Sequence, residues 1–585
     1  MKVQNVVFPP SSGVYPKEMF FRGEGKYDID GLHLKKGETA SFDTFYNAIQ
    51  PAIWRIECGI TDLCLRLAGH GKMTICFYRQ SKEDETEFLG KKDIELSDSM
   101  YEIPVPCWTD SSKGIVFFSI SAREEVSLFR SYFWTNQPKK TNVKLGLVIT
   151  NYNRQKFVIP TAKRLVKEII KNPDYSGVSL VIVDNSQNLK RSDFDENVII
   201  IKNKNTGGSG GFTRGLLYLK DNGFTHCNFM DDDASCLTES IKRSYIFFSF
   251  YCGKDAIGLN GILLRDREPN IVNESCGGWR KVDARLFDAG RDVLDKSDLI
   301  AISNNFKHEG YGAWCYFGFK ISDITKYPFP FFIRGDDILF SLQNKLIIIS
   351  VLGISTCVDS FANKENALTI YLSLRSHFVI SVFMEKSSIF RWWRRFVRCN
   401  RAPLYGGFYS WSYGARQALQ DILSGDYIFR NDVTGEKFRS KIKLIPEYEK
   451  MCMASEEVRM HITRNADNKQ DFGWRRVLRV ITLNYLFCPK SFMHPSLVCY
   501  KNEGLDFKRV CGFYRVYWFN NDTNVWLVTT QNKKEILKGI FRNYLAFWQL
   551  LLHYYSAKAK LKKEIEWCTT EEFWRSTLFD TQNRK

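Results

Sequence analysis

The sequence predicts a central α/β unit with an antiparallel β-sandwich before it and a mainly helical region after it. Three observations predict this. From Asn142, strands that are apolar throughout alternate with helical stretches, the pattern of a sheet covered on both faces. Before residue 138, short alternating runs are separated by Gly, Pro and Asp turns, as in β-sandwiches. Beyond residue 385 the period lengthens and Arg, Lys and aromatic residues crowd together, which reads as helix. The expected domains are therefore 1–138, 142–385 and 386–585, with Asn136 to Thr141, which holds Pro138 and two lysines, as a linker.

In the first unit, Ala40 to Phe45, Met73 to Tyr78 and Ile115 to Ile120 alternate as half-buried strands do. In the second, VKLGLVIT (143–150), VSLVIVD (178–184), NVIIIKN (197–203) and HCNFM (226–230) are strands. Helices are expected from Phe157 to Lys171, at the start of Phe212 to Leu219, and from Asp337 to Gln343, with a further strand at Leu346 to Ser350. The strands alone imply a parallel sheet.

Composition narrows the function classes. With 585 residues, 44% of them hydrophobic and 15% aromatic, the chain buries large cores and is not intrinsically disordered. The 83 Lys+Arg exceed the 65 Asp+Glu by 18, which favours an anionic partner. The longest nearly apolar run, Leu346 to Val358, is 13 residues long, short of the roughly 20 that span a bilayer. The opening MKVQNVVFPPSSG has no long apolar core, so a reducing cytosol and free thiols for the 16 Cys are expected. No Cys-x-x-Cys pair and no zinc-finger spacing occurs.

In open α/β sheets ligands bind beyond the carboxyl ends of the strands. Each end here is polar: Asn151, Asn153 and Arg154; Asp184 and Asn185; Lys204, Asn205 and Thr206; Asp231, Asp232 and Asp233. Turns also favour Asn and Asp. Three adjacent carboxylates repel one another, and a divalent cation bridging them to a phosphate relieves that repulsion; hard oxygen ligands suit Mg²⁺ or Mn²⁺. Backbone alternation turns Asp231 and Asp233 to one side. A solvated acidic turn or a helix cap is the plainer alternative. Asn205-Thr-Gly-Gly-Ser-Gly-Gly211, with Gly208 at its centre, opens a helix, where backbone approaches a ligand closely and the dipole attracts negative charge. The dinucleotide and phosphate-loop spacings are absent. Asp336 and Asp337 precede a helix as a general-base pair or as caps. The run Tyr311, Trp314, Tyr316, Phe317, Phe319 suits either sugar stacking or a core strand.

Together, NYNR (151–154), VDN (183–185), NTGGSGGFTRG (205–215), MDDDAS (230–235), the Trp314 segment and FIRGDDILFSL (332–342) resemble the inverting glycosyltransferases of family 2, with a GT-A fold, a Rossmann-like mixed sheet. The likeness is greatest to bacterial galactofuranosyltransferases of the galactan-polymerising kind. It reaches FDTFYNAIQPAIWRI (42–56) and covers roughly residues 15–385. The resemblance implies that Asp231 and Asp233 hold Mn²⁺ or Mg²⁺ on a UDP-sugar, and that Arg154, Asp184, Asn205, Gly208 and Asp232 contact the donor. It implies that Glu274, Trp314 and Asp336 line the sugar and acceptor site, and that Asp337 is the base. Galactofuranose is the implied sugar and a bacterial surface glycan the acceptor. A GT-A enzyme with another donor such as dTDP-rhamnose, or a non-catalytic glycan-binding relative, is the alternative.

Two positions depart from the family. Its metal-ligand His is missing; Cys357-Val358-Asp359-Ser360 occupies that place, leaving Asp359 or water as the substitute ligand. His308 and His377 are nearby in sequence but read as ordinary structural residues. Ala313 precedes Trp314 where the family pairs two Trp, which implies an altered acceptor pocket. Six Lys/Arg and no acid lie between Lys386 and Arg401, interleaved with Ile389, Phe390, Trp392, Trp393, Phe396 and Val397. That suits a helix on an anionic bilayer, or a packing helix with snorkelling arginines. The expected location is cytoplasmic, peripheral on the inner membrane face, near a lipid-linked glycan. No nucleic-acid motif accompanies the charge, and a homo-oligomer is left open.

Overall fold

The computed structural model describes residues 1–585 apart from 11–12, 29–30, 233–234, 360–363, 386, 453–473, 501–504, 506, 521–524 and 580–585. The N-terminal part is built on β1 (Lys2–Asn5), β2 (Leu32–Leu34), β3 (Cys64–Lys82), β4 (Glu85–Leu96), β5 (Ile115–Ala122) and β6 (Val126–Trp134). All their pairings are antiparallel. The 19-residue β3 serves two sheets. Its first half pairs with β6, from His70↔Ser127 to Cys64↔Trp134. Its second half pairs with β4 and with β5, from Met73↔Ala122 to Gln80↔Ile115. Leu65, Leu67, Met73, Ile75 and Phe77 share its buried face, the period of two that the sequence shows.

The α/β unit comprises β7 (Leu145–Asn151), α1 (Gln155–Leu165), β8 (Val178–Asp184), β9 (Val198–Lys202), α2 (Gly207–Asp221), β10 (His226–Asp231), α3 (Thr238–Phe250), β11 (Ile257–Arg265), β12 (Val272–Glu274), β13 (Gly277–Arg280), β14 (Asp283–Leu286), β15 (Lys307–Glu309), β16 (Tyr316–Lys320), α4 (Asp336–Gln343) and β17 (Ile347–Val358). The sheet runs β9-β8-β7-β10-β16-β11-β17-β15. Its first four strands are parallel. The aromatic strand β16 is antiparallel to both neighbours, so the sheet is mixed where apolar strands alone imply a parallel one. Tyr316, Phe317 and Phe319 are fully buried in it, so these three of the run are core strand rather than sugar platform.

Helices α5 (Ala367–Phe383), α6 (Ile389–Gly406) and α7 (Tyr409–Ser424) follow. Next come β18 (Lys450–Cys452), β19 (His494–Tyr500), β20 (Phe513–Asn520) and β21 (Val525–Thr530), then α8 (Lys533–Cys568) and α9 (Glu571–Phe579). The C-terminal region is mainly helical, but with a four-stranded sheet, β18-β21-β20-β19, that its charge and long period conceal. FYRVYWFN and VWLVTT carry the β-branched and aromatic residues that favour strands. Among the described residues, no helix is long and apolar enough to cross a membrane, and the cysteines are free thiols.

The parts are welded together. Arg243 on α3, fully buried, donates to Glu239 Oε1 (2.9 Å), Leu352 O (3.1 Å), Tyr46 O (2.6 Å) and Asn5 O (3.2 Å). Glu239 in turn accepts from Asn5 N (3.0 Å) and Asn5 Nδ2 (2.7 Å). One buried ion pair thus joins β1 to α3 and β17. A second core spans the α/β sheet, α5 and α7–α9.

Candidate active site

At the end of β7, Asn151 Nδ2 donates to Asp184 Oδ1 (2.9 Å) and to Ser186 Oγ (3.1 Å). Asp184 also accepts from Ser186 N (3.1 Å), Ser186 Oγ (2.7 Å) and Leu189 N (2.8 Å). Burial works against the charged form, but these hydrogen bonds outweigh it and hold the carboxyl below its usual range. Asp184 is fully buried and braces the loop after β8. Arg154, at the start of α1, reaches Asp232 Oδ1 at 3.6 Å, so two of the expected donor-contact residues meet across neighbouring strand ends.

Helix α2 begins at Gly207, five residues before the sequence reading places it, so four of the glycines lie inside its first turns. Asn205 Oδ1 accepts from Gly207 N (3.1 Å) and Ser209 N donates to Phe332 O (3.3 Å). Gly207 has φ of 68°, and a Cβ there would run into the Phe332 carbonyl, which only glycine escapes. At Gly208 the nearest atom to such a Cβ is Asp336 Oδ2, 3.6 Å away. The glycines at 207 and 208 therefore do different work: one packs against protein and the other borders the acidic site.

The facing loop is strained. Phe332 and Arg334 both have positive φ (78° and 72°) before Gly335 (87°), and non-glycine residues in that region cost about 1–3 kcal/mol each. The strain delivers Asp336 and Asp337 to the N-terminus of α4. Ser209 Oγ on α2 donates to Asp336 Oδ2 (2.9 Å), a link that the Ser inside the glycine motif hints at but the sequence reading missed. Burial, with the charge of Asp231 adding to it, pushes Asp336 up to about 6. Burial and the charges of Asp336, Glu274 and Asp231 push Asp337 well above the carboxylate range. Glu274, at the end of β12, is 5% exposed, its Oε2 has no hydrogen-bond partner, and burial lifts it to about 7.

Four carboxyls from three segments, Asp231, Glu274 and the adjacent Asp336 and Asp337, thus face one region beyond the sheet. Two further residues belong to it. Burial raises Tyr311 and Cys315, and the neighbouring charges of Glu274 and Asp337 add to this; Asp231 adds to it for Cys315. The aromatic run drew attention to Tyr311, whereas nothing in the sequence marks Cys315.

Residues 26–136 match the family described as galactofuranosyltransferase 2 N-terminal. That stretch of the chain is similar to the N-terminal part of galactofuranosyltransferases. The match lies in the N-terminal β part, outside the acidic cluster. No curated protein matches the sequence. Among solved structures, a mannosyltransferase from Pyrobaculum calidifontis with GDP-Man and Mn²⁺ shares 10% identity over 42% of this chain and 68% of its own, at a TM-score of 0.28. GalNAc-T7 with UDP, GalNAc and Mn²⁺ shares 9% over 43% and 49%, at 0.28. S. aureus TarS 1–349 shares 13% over 54% and 95%, at 0.28. Likeness at that level carries no argument about this chain.

The remaining expectations place as follows. Trp314 is 5% exposed and packs edge-on against Phe212, Phe229 and Phe340 at 5.0–5.5 Å. Its ring is core, and its Nε1 lacks an acceptor. Ala313 is buried with Leu263 and Cys315. Cys357 N donates to Ser235 O (2.9 Å), which brings the segment that replaces the family His beside the acidic triplet. Asp359 pairs with Lys364 at 3.6 Å. His308 stacks on Phe287 at 4.4 Å and meets Asn305 O, and His377 lies against Trp279 at 5.1 Å and Arg395; both are structural. Asp233 lies outside the described residues.

A divalent cation fits this chemistry. The oxygen donors suit it, the carboxyls repel one another unless something positive stands among them, and Glu274 Oε2 is buried without a partner. Among the described residues, no three such groups converge as a ready-made metal cluster. Asp231 is the described member of the expected ligand pair.

Proposed function

We propose that this chain is a glycosyltransferase that moves galactofuranose from UDP-galactofuranose to a hydroxyl of a bacterial surface glycan with inversion at the anomeric carbon. One observation carries the reading: the four carboxyls gathered at the carboxyl ends of the strands, beside the N-terminus of α2. Arg154 and Asp232 bind the donor, with Asp184 and Asn205 holding the loops that frame it. Gly208 leaves the helix N-terminus open toward the diphosphate. Mn²⁺ or Mg²⁺ on Asp231 and Asp233 supplies neutralisation of the leaving diphosphate when bound. Asp337 takes the proton of the acceptor hydroxyl; its raised affinity for protons suits a base. As the hydroxyl oxygen bonds to the anomeric carbon, the bond to the diphosphate oxygen breaks and its electron pair leaves with UDP. Glu274 and Tyr311 border the acceptor side, and Asp336, fixed by Ser209, orients Asp337.

The reading includes peripheral attachment to the inner face of the cytoplasmic membrane. Phe541, Tyr544, Trp548, Leu552 and Tyr555 of α8 are 45–73% exposed at helical spacing, which supports an apolar stripe on a bilayer surface.

Incubation with UDP-galactofuranose, Mn²⁺ and hydroxyl acceptors is the test. UDP release and an inverted glycoside are expected, and both should fall about 10²- to 10⁴-fold in Asp337→Asn, the range for losing a general base. No UDP release from any UDP-sugar would overturn the proposal.

A further inference from the structure

Beside the acidic site lies a groove of opposite character. The hairpin β13–β14, which follows Glu274 after two residues, forms one wall and helix α6 the other, around about 740 Å³. Arg391, Arg394, Arg395, Arg398 and Arg401 line it from α6, at i, i+3, i+4, i+7 and i+10, so they share one helix face. Arg280, Lys281 and Arg285 line it from the hairpin. Against these eight cations the lining holds, among the described residues, one carboxylate, Asp283, which already accepts from Arg395 and Arg398. Like charges at such spacing oppose folding of the helix and docking of the hairpin, so the groove carries an electrostatic cost that an anion relieves. Arg395 gives the second sign. Its side chain is 16% exposed, its Nε is buried without a partner, and burial together with repulsion from Arg398 works against its charge.

The groove is built rather than incidental. Trp393 is fixed by Nε1 donating to Asn543 O (2.9 Å), and Trp279 by its edge-on contact with His377. Burial, with a small contribution from Arg334 and Arg398, lowers His377 to about 4, so it stays neutral and adds no charge. His377 therefore lies within the fields of both Arg334, two residues before Asp336, and Arg398 in the groove. The positive groove and the acidic site thus adjoin through one hairpin and one histidine.

We propose that this groove binds the phosphate-bearing part of the acceptor: a phosphodiester or diphosphate group of the glycan held there while its free hydroxyl reaches Asp337. The proposal rests on the transferase reading above and names the acceptor's chemistry. A concave site with planar guanidinium groups on both sides suits a compact oxyanion, which each Arg grips with two N–H donors, better than a flat lipid surface.

The test uses the full chain and inorganic pyrophosphate in metal-free buffer at fixed ionic strength. The triple variant Arg391→Gln, Arg394→Gln, Arg401→Gln is compared with Lys35→Gln, Lys36→Gln, Lys113→Gln, which removes equal charge elsewhere. Pyrophosphate affinity should fall at least about tenfold in the first, the factor that one lost charge-assisted hydrogen bond produces, and stay unchanged in the second. The arginine variant should raise KM for a phosphorylated acceptor, leaving kcat, hydrolysis of UDP-galactofuranose and KM for an uncharged acceptor as they were. Equal pyrophosphate binding by the arginine variant and the parent overturns the proposal. So does groove-dependent binding of phosphatidylglycerol vesicles without binding of pyrophosphate, which would make the groove a lipid contact. Absence of donor hydrolysis in every form, with pyrophosphate binding still lost in the arginine variant, would sink the transferase reading and leave an anion site.

Discussion

Gly207 and Gly208 are neighbours with opposite constraints. Gly207→Ala forces a side chain into positive φ and into the Phe332 carbonyl, and should cost about 1–3 kcal/mol of stability, read by urea denaturation. Gly208→Ala has 3.6 Å of room and gains helix propensity. It should leave stability intact while raising KM for the donor, because the new methyl stands beside Asp336. At this scale the sequence was legible where chemistry is local. The Asp231-Asp232 and Asp336-Asp337 pairs announce themselves as adjacent acids after a strand and before a helix. Asp184 did not declare that its oxygens are taken up by Asn151, Ser186 and Leu189, because two of those partners are set by the turn after β8 and one by the adjacent strand.

Among elements, the parallel half of the sheet was readable from its unbroken apolar strands, whereas the antiparallel insertion of β16 depends on tertiary order. The start of α2 was misplaced because glycine weakens helix propensity; packing against Phe332 and Asn185 overrides it. The sheet β18–β21 was missed because the basic aromatic stretches 387–401 and 539–568 on either side of it set the helical reading for the whole region. Buried histidines give the elements a pH limit. His226, at the start of β10, is lowered to about 4, by burial first and Lys320 second, and burial does the same to His377. Above about pH 6.5 both are neutral, folded or unfolded. As the pH falls below that, the unfolded chain binds protons that the folded chain refuses, so stability declines down to about pH 4 and by up to about 3 kcal/mol per histidine. Thermal melts between pH 8 and 4 should show the decline, and His226→Gln should flatten it.

Over the whole molecule, the expected linker at 136–141 separates nothing mechanically, since Arg243 and Glu239 bind β1, α3 and β17 into one body. Arg243→Met leaves Glu239 buried without its cation and should cost about 3–5 kcal/mol, seen as a lower urea midpoint with the N-terminal and α/β parts still unfolding together. Two separate transitions in the parent would count against this. No local pattern marks such a weld, because its partners come from positions 5, 46, 239, 243 and 352. At the other end, Trp574 on α9 is fully buried, donates from Nε1 to Pro328 O (2.7 Å), and lies against Gly210. Trp574→Ala should cost about 3–5 kcal/mol and weaken donor binding through α2.

That last contact sets an order on the molecule's biosynthesis. The glycine turn that opens α2 is made more than 350 residues before the tryptophan that packs against it, so a nascent chain stalled or clipped short of α9 carries the strand-end carboxyls on a platform without that support. Folding of the glycine turn against its neighbours then waits for α9, since the tryptophan that packs on Gly210 belongs to that helix.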